Sequence, residues 1–133
     1  MVADANQEDL NQLSEAVLGC AYRVHSALGP GLLESVYKAC LAIELRDAGF
    51  LISVEHPCPV VYKGQQVADV GYRMDILVNR VLVLEIKSVE ALHPVHMAQL
   101  LSYLRLADLR YGLILNFNTE HLRDGIKRVV NRF

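Results

Sequence analysis

The sequence predicts an α/β domain around a small central mixed β-sheet flanked by α-helices, in the order α-α-β-β-β-β-α-β-α. In the first third, apolar residues recur at helical spacing through Leu10, Leu13, Val17, Cys20, Val24 and Leu28. The middle turns to short β-branched runs such as Val60-Val61-Tyr62. Hydrophobic residues make up 53% of the 133, enough for one core and one domain spanning 1–133.

The first helix is expected over about 7–28, stopped by Gly29-Pro30-Gly31. A second, about 31–48, carries Leu33, Val36, Cys40 and Ile43, with Gly49 placed to cap its end. Val60–Tyr62 and Val67–Val70 read as a hairpin around Lys63-Gly64-Gln65-Gln66. Tyr72–Val78 and Val81–Lys87 follow, apolar at nearly every position, as strands covered on both faces are. Pro94 opens a third helix to about 107, and Tyr111–Phe117 reads as a buried strand. Thr119 is a candidate N-cap for a last helix to about 131, with Leu122, Ile126, Val129 and Val130 turned inward.

Composition excludes several classes. The longest apolar runs, such as Val81–Leu84, fall far short of the ~20 residues of a membrane helix. The first ten residues are acidic and polar, unlike a signal peptide, so a cytoplasmic protein is expected. Cys20, Cys40 and Cys58 are widely spaced without a CxxC pair; buried thiols are expected, not cysteine-ligated zinc. A net charge of −2 gives no global basic footprint, but residues 105–133 hold six bases: Arg105, Arg110, Arg123, Lys127, Arg128 and Arg132. A basic C-terminal helix is thus a candidate contact for a polyanion.

Asp75, Glu85 and Lys87 form D-x9-E-x-K, and period-2 alternation puts Glu85 and Lys87 on one face. A two-residue loop at Asn79-Arg80 would throw Asp75 to the other face. A three-residue loop such as Val78–Arg80 pairs Asp75 with Val83 and gathers all three, and Asn79 tolerates the left-handed dihedral such a loop needs. The bland reading is an ion pair of Lys87 with Glu85 or Asp75 at a sheet edge. The functional reading is that Asp75 and Glu85 hold a hard divalent cation such as Mg²⁺ through oxygen, with the Ile86 carbonyl completing the protein share. Lys87 would then position a water or stabilise a phosphodiester in flight.

Glu34 and Tyr37 lie at i, i+3 on the second helix; a carboxylate in a first turn also serves simply to compensate the helix dipole. Gln99 and Tyr103 lie at i, i+4 on the third, with His96 one turn earlier, a polar stripe that fits solvent as well as a site.

Gly31-Leu-Leu-Glu34-Ser-Val-Tyr37 resembles the name-giving motif of the GxxExxY family, small bacterial and archaeal proteins of the PD-(D/E)XK nuclease superfamily. The resemblance continues through Tyr72–Asp75, Leu84–Ser88, Ala98–Leu104, Gly112–Asn118 and Gly125–Arg128, from about residue 14 to 131. It implies a restriction-endonuclease-like α-β-β-β-α-β core and a metal site. Asp75 and Glu85 would be metal ligands and Lys87 the catalytic lysine. Glu34 would bind metal directly or through water. Gln99 and Tyr103 are similar to the QxxxY element of RecB-type members, which contacts substrate or orients the lysine. His25 fits a structural role. Met97 stands where the family pattern often has a carboxylate, outside the catalytic set.

A Mg²⁺- or Mn²⁺-dependent deoxyribonuclease is therefore expected, with Tyr37, Lys127 and Arg128 as supporting or substrate-binding residues. The rival is a nucleic-acid-binding or regulatory module that keeps the fold with weak or no turnover. A purely structural interaction protein ranks last. The small size of the chain suggests a homodimer or protein partner to extend the substrate surface.

Overall fold

A computed structural model describes residues 6–132; Met1–Ala5 of the acidic N-terminus, Phe133 and the side chains of residues 68–70 lie outside the described residues. Helix α1 (Gln7–Leu28) starts at Asn6, whose side chain accepts the Asp9 N–H at 2.9 Å, satisfying one orphan donor of the first turn. It stops at Gly29, which adopts φ 66°, and α2 spans Glu34–Asp47. Gly49, at φ 90°, donates to Arg46 while Phe50 donates back to Leu45, the paired bonds of a glycine-closed helix end.

Three strands follow: β1 (Ile52–Tyr62), β2 (Gln65–Val78) and β3 (Leu82–Lys87). The two runs expected on either side of Gly71 are one continuous strand, so the middle holds three strands instead of four. Strand β1 begins eight residues before Val60 and runs through Pro57 and Pro59; it lies at the sheet edge, where proline's missing donor is tolerated. The turn between β1 and β2 is Lys63-Gly64, both at positive φ, as a tight two-residue hairpin requires.

Helix α3 (Pro94–Ala107) leads into β4 (Tyr111–Asn116), which runs parallel to β3. The expected last helix is not formed. A short 3₁₀ turn, Leu122–Gly125, gives way to β5 (Ile126–Val130), antiparallel to β4. Leu122, Ile126, Val129 and Val130 fit a helical stripe, yet β-branched residues also suit a strand, and the free edge of β4 offers backbone partners that a helix would leave unpaired. Thr119 caps no helix; its single hydroxyl proton is shared between the His121 carbonyl at 2.8 Å and the Asn116 carbonyl at 3.3 Å.

Among the described residues the sheet has the order β1-β2-β3-β4-β5. Leu82, Leu84, Ile86, Leu113, Leu115 and Phe117 pack toward α1 and α2. Val83, Ile114, Val129, Met74 and Leu77 pack with Leu100, Tyr103 and Leu104 of α3. Cys20 is buried as expected, whereas Cys40, expected to be buried as well, is half-buried; Cys58 is also buried. No described helix is long and apolar enough to cross a membrane.

Candidate active site

The site lies where β2 and β3 part. Their ladder pairs Val78 with Leu82, Leu77 with Val83 and Ile76 with Leu84. Carried one residue further, this register sets Asp75 opposite Glu85. The loop is Asn79–Val81, not Val78–Arg80, so Asp75 does not face Val83 as expected. Asn79 and Arg80 both take positive φ, and the Asn79 side chain accepts the Leu51 N–H.

Beyond Ile76 and Leu84, side chains take over from the backbone ladder. The Asp75 N–H donates to Glu85 Oε2 at 2.9 Å, and the Ile86 N–H donates to Asp75 Oδ2 at 2.8 Å. Simple alternation along β2 also fails here: Met74 and Leu77 belong to the α3-side cluster, Ile76 and Val78 to the other. Asp75 is the residue at which the strand turns over. The loop still has three residues, so its odd parity keeps Asp75 in phase with Glu85 and Lys87 as expected, and the splay lets the two carboxyls take the place of backbone partners. Along β3 the alternation is regular, so Glu85 and Lys87 point to the α3 side with Val83.

Glu85 is 5% exposed. Burial, then the Asp75 charge, pushes its carboxyl up to about 8. Asp75 is also raised, chiefly by burial, against the opposing pull of the Ile86 N–H and Lys38. Lys87 forms no ion pair with either carboxylate among the described residues; Lys38 of α2 approaches Asp75 Oδ1 instead, at 3.7 Å. Lys38 also pairs with Glu55 of β1. Neither Lys38 nor Glu55 was expected near the site. Glu55 sits between the register pairs Val54–Ile76 and His56–Met74, opposite Asp75, in a segment whose sequence carries no periodic signal.

The remaining residues arrive from both helices. The Ser88 hydroxyl donates to the Leu32 carbonyl at 2.6 Å, tying the end of β3 to the turn before Glu34. Glu34 is exposed at the first position of α2 and makes no hydrogen bond or ion pair among the described residues. His96, in the first turn of α3, feels both sides of this junction. Burial and then Lys87 press its pKa down, while Glu34 pulls the other way. Tyr37, the other residue of the Glu34 motif, is fully buried. Its hydroxyl accepts the Leu32 N–H at 3.1 Å and donates to the Gly29 carbonyl, and its ring stacks on Phe117 at 4.7 Å. His25 contacts the Thr119 carbonyl at 2.8 Å, in keeping with a structural role.

Tyr103 is 6% exposed and lies in the field of Glu85 and Asp75. Burial first, then those charges, pushes its hydroxyl up to about 12, so it remains a proton donor near the pair. Gln99 is exposed one turn earlier on α3. Lys127 and Arg128 stand on a strand, not a helix, and hence on opposite faces. Lys127 pairs with Ile114, which in turn pairs with Glu85, placing it on the Glu85 side about 10 Å away across two strand spacings. Arg128 lies over the Tyr111 ring on the other side, 5.4 Å from its centroid.

A groove of about 650 Å³ beside the C-terminal half of α3 is lined by His56, Cys58, Met74, Leu77, Arg80 and Leu106 among others, and includes none of Glu34, Asp75, Glu85 or Lys87.

The family model of the PD-(D/E)XK nuclease superfamily matches residues 11–129. The chain belongs to this superfamily. No curated protein and no solved structure gives a significant match. Its members are usually nucleases that use divalent metals, so membership implies hydrolysis of a nucleic acid. Among the described residues no group of three or more His, Cys, Asp or Glu stands arranged as a metal cage. The donor set of the splay fits a hard cation nonetheless. Each of the two facing carboxylates spends one oxygen on a backbone N–H; the second oxygen of Asp75 faces the Lys38 ammonium at 3.7 Å, and the repulsion between the two carboxylates is of the kind a cation relieves.

Proposed function

We propose that the protein is a metal-dependent deoxyribonuclease of the GxxExxY type, working at the β2–β3 splay. The observation that carries this reading is the pair of reciprocal bonds that aims Asp75 and Glu85 at one another in a buried gap. Asp75, Glu85 and the Ile86 carbonyl would hold Mg²⁺ or Mn²⁺, with Glu34 joining directly or through water. The Lys87 carbonyl turns to β4, where Phe117 donates to it at 2.9 Å; strand alternation therefore turns the Ile86 peptide groups toward β2 and the gap. When bound, the ion supplies an acidified water and charge neutralisation at phosphorus.

The chain's own residues divide the remaining work. Lys87, unpaired on the α3 side of β3, offers a positive charge to the phosphate as negative charge builds on its oxygens. Tyr103 is a fixed donor beside the pair, and Gln99 extends the polar edge one helical turn outward. Lys127 meets the backbone further along the same face. A cytoplasmic setting, and a second copy or partner extending this surface, complete the proposal.

The test is cleavage of labelled single- and double-stranded DNA with Mg²⁺, Mn²⁺ or EDTA, beside Mn²⁺ calorimetry. Wild type should cut only with metal. Glu85→Ala should lose both metal and cleavage, and Lys87→Ala should keep metal and lose cleavage. Absence of cleavage with DNA binding intact would instead identify a binding module on the same fold, the reading that Glu34's lack of contact with the carboxylate pair favours.

A further inference from the structure

Lys38, which neither the sequence motifs nor the superfamily match singles out, is half-buried between two carboxylates, Glu55 and Asp75. Its ammonium contacts Glu55 and lies 3.7 Å from Asp75 Oδ1, the oxygen not used by the Ile86 N–H. Side-chain exposure is 22% for Lys38 and 21% for Asp75, so water screens this contact only in part. Burial works against the Lys38 charge, but its carboxylate partners outweigh it and keep the amine protonated.

The backbone is bent to make this pair. Glu55 adopts φ 54°, unusual for a residue that is neither glycine nor asparagine, in the middle of β1. It occupies the register position facing Asp75. A strand that accepts this conformation to bring a carboxylate to Lys38 is arranged around that contact.

We propose that Lys38, clamped by Glu55, is a resident cation that sets the affinity of the Asp75–Glu85 site for a divalent ion. In the ion-free protein it holds the Asp75 carboxylate in place. When the ion arrives, the two positive charges oppose one another, and Glu55 moderates that opposition by drawing Lys38 toward β1. The inference rests on the reading of Asp75 and Glu85 as metal ligands. A lysine charge held beside a ligand carboxylate opposes an arriving divalent ion even in a largely aqueous field, an effect of about tenfold in affinity.

The signs of two substitutions test it. Mn²⁺ binding is measured by calorimetry on wild type, Lys38→Met, Glu55→Gln and Lys38→Arg, with circular dichroism to establish that each is folded. Lys38→Met should bind about tenfold more tightly, Glu55→Gln several-fold more weakly, and Lys38→Arg close to wild type. A general loss of structure weakens both variants and cannot produce opposite signs. If Lys38→Met does not fold, weaker binding by Glu55→Gln with Lys38→Arg unchanged still supports the proposal. Equal affinities, or weaker binding by a folded Lys38→Met, overturn it. Absence of Mn²⁺ binding by wild type overturns the metal-site reading itself, and the proposal with it.

Discussion

Replacing Glu85 with glutamine removes a carboxyl that the folded protein can ionise, as pH rises, only in a 5% exposed position. The carboxyl moves from an ordinary 4.5 to about 8 on folding, first through burial and then through Asp75. A carboxyl whose folded pKa is raised takes up a proton on folding, so its contribution to stability is complete below pH ~4.5 and is lost as pH rises toward 8. At ~1.4 kcal/mol per decade the full excursion is ~5 kcal/mol. Water admitted to the splay returns part of this, which leaves about 2–5 kcal/mol. Glutamine keeps an oxygen to accept the Asp75 N–H and never ionises. In metal-free buffer the stability of Glu85→Gln relative to wild type should therefore grow from about pH 4.5 and level off near pH 8. For a chain of this size that is roughly 6 °C or more in melting temperature at pH 8.5. Thermal melts of both proteins in EDTA at half-unit pH steps measure the difference, in which the five histidines cancel. Excess Mn²⁺ should raise the wild-type melting temperature at pH 8.5 far more than that of the variant. Parallel curves across the whole range would refute the claim that Glu85 is buried against Asp75 at a charge cost.

Tyr37→Phe should lower stability by about 1–3 kcal/mol, because it strips the Leu32 N–H and the Gly29 carbonyl of their shared partner; a melting temperature within 1 °C of wild type would show that the turn before α2 is held by other contacts. Lys127→Gln should reduce the salt slope of DNA binding by about one, since it neutralises one phosphate contact on the Glu85 side. Arg128→Gln, turned to the opposite face over Tyr111, should leave that slope unchanged; the reverse order would place the nucleic acid on the α1/α2 side.

The sequence by itself determined the elements whose local chemistry is self-sufficient. Helices α1 and α3 follow from an unbroken apolar period and their own caps, and β3 and β4 from runs of β-branched and aliphatic residues. The candidate set Asp75, Glu85 and Lys87 was legible because charges inside such apolar strands are costly without a purpose. Tertiary structure decided what depends on a partner. Ile126–Val130 is a strand because β4 offers an open edge, although its period fits a helix equally well. β1 is extended despite two prolines because it borders the sheet. The odd loop already sets Asp75 opposite Glu85; tertiary structure decided that β2 and β3 part there, so that each carboxyl accepts a backbone N–H of the facing strand. Lys38 and Glu55, 17 residues apart, share no pattern in the chain. Only the packing of α2 on the β1 edge brings an ammonium and a third carboxylate to Asp75, since long-range electrostatic contacts are set by where elements dock and leave no periodic trace in the sequence.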